Sequence, residues 1–185
     1  MSNPSADSLK GRIYLALLSR LTSQLSYTTE EDPRPIPSLA WVDKNHGQFN
    51  RPEMHLPVPM PAILISFPDT EWEHVGRGWQ KGRMRIRVEV GYENYADSFD
   101  GSPNIEEAIR FFEFNEATHQ ALQGWSCPGI TTLERVADAE DDDHGNVIRT
   151  ILEYETSVED RSASKDRGTQ EAEGSIIPKF ITQTV

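Results

Sequence analysis

The 185-residue chain holds a single cysteine, Cys127. No disulfide can close within it, so it is compatible with a reducing compartment. No apolar run approaches the ~20 residues that span a bilayer. Met1 to Asp7 lack the basic and apolar regions of a secretory signal, so no export is expected. The one near-match to an N-x-S/T sequon, Asn3-Pro4-Ser5, is blocked by its proline. Positive charge is also scarce: 18 Lys and Arg stand against 30 Asp and Glu, a formal net charge of −12. That balance argues against a general nucleic-acid binder, which needs clustered cations to displace counterions from phosphates. It argues equally against docking on an anionic membrane surface. Hydrophobic residues make up 36% of the chain, so parts of it are expected to lie outside any core.

What is present divides into a domain over residues 1–160 and a linker with a C-terminal arm over 161–185. Leu9, Ile13, Leu17, Leu21 and Leu25 recur at i+4, which predicts a helix over Ser8 to Tyr27 with Ser5 or Asp7 as its cap. Seven of the 12 prolines fall between Thr28 and Pro61, which predicts an extended loop with one short strand at Leu39 to Asp43. Asn45 to Asn50, around Gly47, reads as a turn. Ala62 to Phe67 reads as a short buried strand. Glu71 to Gln80 alternates weakly, and Gly78 and Gly82 are expected to bracket the turn that follows. Arg83 to Val90 alternates cleanly, with Met84, Ile86, Val88 and Val90 on one face.

Asn104 with Glu107 predicts a capping box for a second helix. Its expected core stripe is Ile105, Ala108, Ile109, Phe112 and Leu122, with Gly124 just past its end. Ile130 to Ala137 and Asn146 to Glu159 read as a hairpin joined by an acidic connection, Asp138 to Gly145. Ser162 to Gly174 is polar, and Ser175 to Val185 turns apolar again. Strands in hairpins rather than alternating with helices predict an α+β fold: a mainly antiparallel sheet packed with two helices, plus an extended C-terminal arm.

No local motif points to catalysis. His46, His55, His74, His119 and His144 include no zinc-binding spacing, and Cys127 has no partner cysteine. Gly76-Arg77-Gly78 lacks the rest of a dinucleotide fingerprint. No catalytic residue, cofactor or metal is called for, and the chain is read as no enzyme. The acidic run Asp138, Glu140, Asp141, Asp142 and Asp143 holds oxygen ligands suited to calcium but not at EF-hand spacing. A solvated hairpin tip accounts for it as well, and so does a tip aimed at something it must repel. The Arg83, Arg85 and Arg87 row is expected to pair with acids on a neighbouring strand or subunit.

Three features suggest contacts beyond the fold. Phe114 points about 160° away from Phe112 on a helix, so one sheet cannot cover both. Either the long loop covers Phe114 or it meets another chain, which makes Phe111 and Phe114 candidate subunit contacts. The apolar arm, with Ile176, Ile177, Phe180 and Ile181, is placed to dock on a neighbour or to fold back on its own core. Trp41, Trp72 and Trp79 offer an alternative reading, a ligand-binding module with a tryptophan-lined pocket.

From Ser8 to Asp160 the chain resembles the tail terminator (tail-completion, head–tail joining) proteins of long-tailed phages and related contractile systems. The residues that carry the likeness are the leading helix and the Pro-rich span before PAILISFP. To these are added the strand RMRIRVEVGYEN, the helix NIEEAIRFFEFNEATHQALQGW and the hairpin TTLERVADAEDDDHGNVIRTILEYETSVED. The resemblance implies an α+β subunit of a hexameric ring in the neck of a virion, assembled in the host bacterial cytoplasm. Its partners would be its own copies, the tail tube protein and the head-side connector or adaptor, with no membrane. DNA would pass through the lumen without specific binding. Alternatives are another neck, tail-tube or baseplate adaptor protein of a phage or injection system, and a small metal-dependent enzyme using the acidic loop.

Overall fold

The computed structural model describes residues 6–26, 38–51, 57–93, 96, 99–141 and 147–163. The fold is α+β, as expected. Helix α1 runs over Leu9–Leu25, followed by strands β1 (Trp41–Lys44), β2 (Ala62–Ser66), β3 (Thr70–Gly76) and β4 (Trp79–Glu93). Then come a short helix α2 (Ile105–Ala108), helix α3 (Arg110–Leu122) and strands β5 (Glu134–Asp141) and β6 (Val147–Asp160).

The strands form one sheet in the order β1-β2-β4-β6-β5, with β3 also beside β4. All pairs are antiparallel except β1 with β2. β4 and β6 are the spine, paired from Gln80–Asp160 to Glu93–Val147. Their alternation decides the two faces. Met84, Ile86, Val88 and Val90 of β4 and Leu152, Tyr154 and Val158 of β6 are buried on the inner face. Ile13, Leu17, Leu21 and Leu25 of α1 pack there too, with Phe114 and Leu122 of α3. The i+4 row read from the sequence is thus the core face of α1.

Several boundaries differ from expectation, each for a local reason. The cap of α1 is Ser8, not Ser5 or Asp7: Ser8 Oγ accepts the Gly11 N–H at 3.2 Å. The turn between β3 and β4 is Arg77-Gly78, both at positive φ (52° and 79°). That is the two-residue hairpin geometry whose twist matches the strands. Gly82 does not bracket this turn. It lies inside β4, where the Trp72 ring would be 2.8 Å from an added Cβ. β5 starts at Glu134 rather than Ile130, because Leu133 is engaged elsewhere. Its N–H bonds the Trp125 carbonyl and its carbonyl takes the Gly124 N–H. Ile130 keeps one isolated bridge, to Val158. Gly124 does follow the helix at positive φ, 72°.

The second helix departs furthest. Asn104 is an N-cap without a side-chain bond, so the capping box with Glu107 is absent. The helix then breaks at Ile109, which ends α2 and precedes α3. In α3 the buried face is Phe111, Phe114, Thr118, Ala121 and Leu122, a clean helical spacing. Of the expected stripe, Ala108 and Leu122 are buried, whereas Ile105, Ile109 and Phe112 are exposed.

On the outer face, the crossover from β1 to β2 covers one corner. The turn at 45–50 forms as expected, with the Asn45 side chain accepting the Gly47 N–H. It places Phe49 against Ala62 and Leu64, with Val58 and Met60 alongside. Gly91 makes room, since a Cβ there would meet the Phe49 ring at 2.5 Å.

Candidate functional site

The surfaces available for function follow from what the two faces leave unsatisfied. The outer face is charged but paired. Arg87 donates to Glu153 Oε1 through Nη2 at 2.7 Å and Nε at 2.9 Å. Arg85 Nη2 reaches Glu155 Oε1 at 3.2 Å, and Arg83 lies 4.0 Å from the same carboxylate. Lys81 faces Glu159 at 3.4 Å. The basic row expected to pair with a neighbouring strand or subunit pairs within its own sheet, β4 against β6. Such half-exposed pairs stabilise little but leave few free cations for phosphate.

Beside them lies a buried polar cluster that the sequence did not flag. The Arg149 side chain, 8% exposed, donates from Nη2 to Glu89 Oε2 at 2.7 Å. Its Nη1 bonds Asp141 Oδ2 at 3.1 Å and also Asn50 Oδ1. The guanidinium therefore ties β4, β5 and the β1–β2 crossover to β6.

The acidic run is split by this arrangement. Asp138, Glu140 and Asp141 are not loop residues, because they belong to β5. Asp138 pairs in register with Leu152 and Glu140 with Thr150, on the side where α3 packs. Asp141 pairs with Arg149 on the opposite side, and its carboxylate is engaged there. It is not a solvated tip charge. Asp142 and Asp143 lie outside the described residues. Among the described residues, no group of three or more His, Cys, Asp or Glu is placed to hold a metal ion.

Phe111 and Phe114, candidate subunit contacts by sequence, are buried in their own chain. Phe114 is fully enclosed, 6.4 Å from the Tyr92 ring by centroids. The Phe111 ring lies 3.9 Å from that of Phe112 by centroids, tilted by 35°. The break at Ile109 rotates these residues inward. Ile105 of α2, Ile109 at the break and Phe112 of α3 are exposed, with exposed Phe99 close in sequence. Phe99 is 62% exposed and Phe112 49%. This apolar group, not Phe111 or Phe114, is the exposed candidate contact. The 3-4-3-1 spacing from Phe111 to Leu122 was the signal that distinguishes the two phases. Ile176, Ile177, Phe180 and Ile181 lie outside the described residues.

β5 is the second open surface. Residues 134–140 are all exposed, and among the described residues only β6 pairs with the strand. A bulge between Arg135 and Ala137 leaves Val136 outward, and Gln123 Oε1 takes the Arg135 N–H at 3.0 Å.

The remaining features are chemically quiet. His119 Nδ1 lies 3.3 Å from the Tyr154 hydroxyl. Burial, then the Arg135 charge, lowers the His119 pKa, and burial holds the Tyr154 phenol well above its usual value. Both therefore stay neutral at pH 7, a packed pair rather than a proton relay. Burial also raises the Cys127 thiol, opposite to what a nucleophile needs. An open groove of about 840 Å³ lies where β3, β4 and β6 meet. Of the three tryptophans offered as pocket walls, only Trp72 lines it, among Glu71, Glu73, Lys81 and Arg83. Trp41 stands on edge strand β1, and Trp79 is sandwiched by Lys81 and Arg161.

No helix among the described residues is long and apolar enough to cross a membrane. Comparison of the sequence with protein-family models and with the curated proteins finds no match to either.

Proposed function

We propose that the protein is a non-enzymatic structural subunit of a virion neck. Copies of it close a ring, of six by the tail-terminator resemblance, that ends the tail tube and meets the head-side connector. The observation that carries this reading is that four large apolar side chains, Phe99, Ile105, Ile109 and Phe112, are exposed before α2, in it and at the start of α3. Large exposed apolar side chains close together in the chain mark a protein contact. A contact between unlike patches of identical copies closes into a ring when its rotation permits.

The charge distribution supports the same reading. A surface of net charge −12 repels phosphates, so DNA slides past without adhering. Asp138 and Glu140, exposed on β5, supply part of that repulsion. The paired arginine row offers no competing anion site.

The test is complementation of a gene deletion with Ile109→Glu plus Phe112→Glu. Both positions are exposed, so the subunit stays folded by circular dichroism. Electron micrographs of the lysate are expected to show tails of uncontrolled length or heads and tails unjoined. Normal particles at parental titre would refute the reading.

A further inference from the structure

A strand at a sheet edge displays a row of unpaired backbone groups, and its side chains decide what pairs with it. Among the described residues β3 is such an edge. It continues the line of β2 along β4, but β1 accompanies β2 only as far as the pair Lys44–Ile65. Beside β3 only β4 is paired, and residues 71–75 are all exposed. The Arg85 N–H donates to the Asp69 carbonyl at 3.1 Å, and antiparallel bonding alternates from there. Glu71 and Glu73 therefore turn their backbone groups to β4. Thr70, Trp72 and His74 turn theirs away from it, and among the described residues no other backbone group takes them.

The side chains of this edge carry a charge left over from the sheet. Glu71 lies in register with Arg83 and Glu73 with Lys81. Both cations are drawn the other way, Lys81 to Glu159 at 3.4 Å and Arg83 to Glu155 at 4.0 Å. Among the described residues no cation forms an ion pair with Glu71 or Glu73. Across the outer face the order is thus acid on β6, base on β4 and acid on β3. A strand that extends this order brings bases. On the inner face, between the two acids, the Trp72 ring lies over Gly82 and Trp72 is 39% exposed.

We propose that the edge of β3 docks an extended segment of another protein in which Lys or Arg alternates with apolar residues. The apolar residue opposite Trp72 exchanges backbone hydrogen bonds with it and sets its side chain beside the indole. Its two neighbours face Glu71 and Glu73 in non-hydrogen-bonded pairs, where side chains come closest. A second copy of this chain fits poorly. Two β3 edges meeting antiparallel about Trp72 would set acid against acid, and β5 carries Glu134, Asp138, Glu140 and Asp141. β1 is four residues long and brings one cation, Lys44. The alternation of Arg with apolar residues in β4 is already paired on both sides. The inference does not depend on ring formation and stands or falls separately.

The test is calorimetric titration of the full chain with a capped synthetic peptide of about ten residues alternating lysine with valine. Binding at or below millimolar peptide is expected, with slower amide exchange at Thr70, Trp72 and His74. Glu71→Gln plus Glu73→Gln is expected to weaken it at least about threefold. Glu106→Gln plus Glu113→Gln makes the same change in net charge on α2 and α3 and is expected to leave it unaltered. The same peptide N-methylated at its valines is expected not to bind, which tests the backbone pairing on the unaltered protein. Absence of binding at millimolar peptide overturns the proposal. Equal weakening by the two double variants overturns it, because the attraction is then to net charge alone. Undiminished binding of the N-methylated peptide overturns the strand pairing. Protection of the three amides without peptide that grows with protein concentration assigns the edge to a second copy and also overturns it.

Discussion

Arg149→Met tests the buried cluster that holds the crossover to the sheet. The arginine is enclosed with Glu89, whose side chain is 4% exposed, and the two are joined at 2.7 Å. Methionine keeps much of the volume of the side chain but removes its charge. Glu89 is then left as a carboxylate without its cation, out of reach of bulk water. Breaking one side of such a pair costs ~3–5 kcal/mol. Asp141 adds little to this, since its side chain is 34% exposed and can be rehydrated. For a chain of this size the loss corresponds to a melting temperature lower by roughly 6–20 °C. Urea unfolding followed by the fluorescence of the four tryptophans reads the change directly. The decisive control is Arg149→Met with Glu89→Leu. With both buried charges gone, only Asn50 and the part-exposed Asp141 carboxylate have lost a partner, and the double variant is expected to recover most of the loss. The reasoning fails if Arg149→Met alone unfolds within ~1 kcal/mol of the parent. It also fails if the two single losses simply add, because the pair would then not be acting as a unit.

Two further predictions concern the helix. Phe114→Ala is expected to cost ~3–5 kcal/mol in the same unfolding assay, as for a large core aromatic. Phe112→Ala should change stability by no more than ~0.5 kcal/mol, and the reverse order would restore the phase that the helix break removes. His119 is expected to titrate below its ordinary value of 6.5, because burial and then Arg135 disfavour its charged form. The unfolded chain then takes up the proton first, so the contribution is intact above pH 6.5 and declines as pH falls below it. An NMR midpoint at or above 6.5 would contradict this, and His119→Asn should remove that part of the acid sensitivity.

How much of this was legible in the sequence depended on whether tertiary contacts overrode the local pattern. The i+4 row of α1 and the alternation of β4 were read correctly because each element packs one regular face on one core. The arginine row was also readable, since register alone puts Arg87 opposite Glu153 and Arg85 opposite Glu155. α3 was misphased because a stripe counted from Ile105 runs through the break at Ile109, and everything after it turns. The end of β5 reads as a loop in sequence because a strand exposed on both faces has no apolar alternation to announce it. Glu89 and Arg149 were invisible for a different reason. Both sit at positions that alternation assigns to solvent, and among the described residues Asn50 of the crossover and Asp141 of β5 reach Arg149 there. No pattern within β4 or β6 reports a cover supplied by another segment.

The distribution of satisfied and unsatisfied groups bears on what kind of partner this molecule meets. Its inner sheet face is closed by two helices. Its outer face is closed by the crossover at one corner and by paired charges along the rest. A ligand-binding module would be expected to keep a concave face with convergent polar groups, and the groove beside Trp72 has dispersed charges of both signs instead. Among the described residues, what stays exposed includes the edge strand β5 and the apolar side chains Phe99, Ile105, Ile109 and Phe112. Groups at a rim meet neighbours lying side by side, whereas groups on a face meet something stacked on top. Acids on β5 disfavour pairing of identical edges, and the proposed function assigns the exposed apolar residues to the contact with another copy. A single patch of that kind cannot pair with itself and also propagate. The ring proposed above therefore requires it to meet a different patch on the next copy, since self-pairing would stop at a dimer.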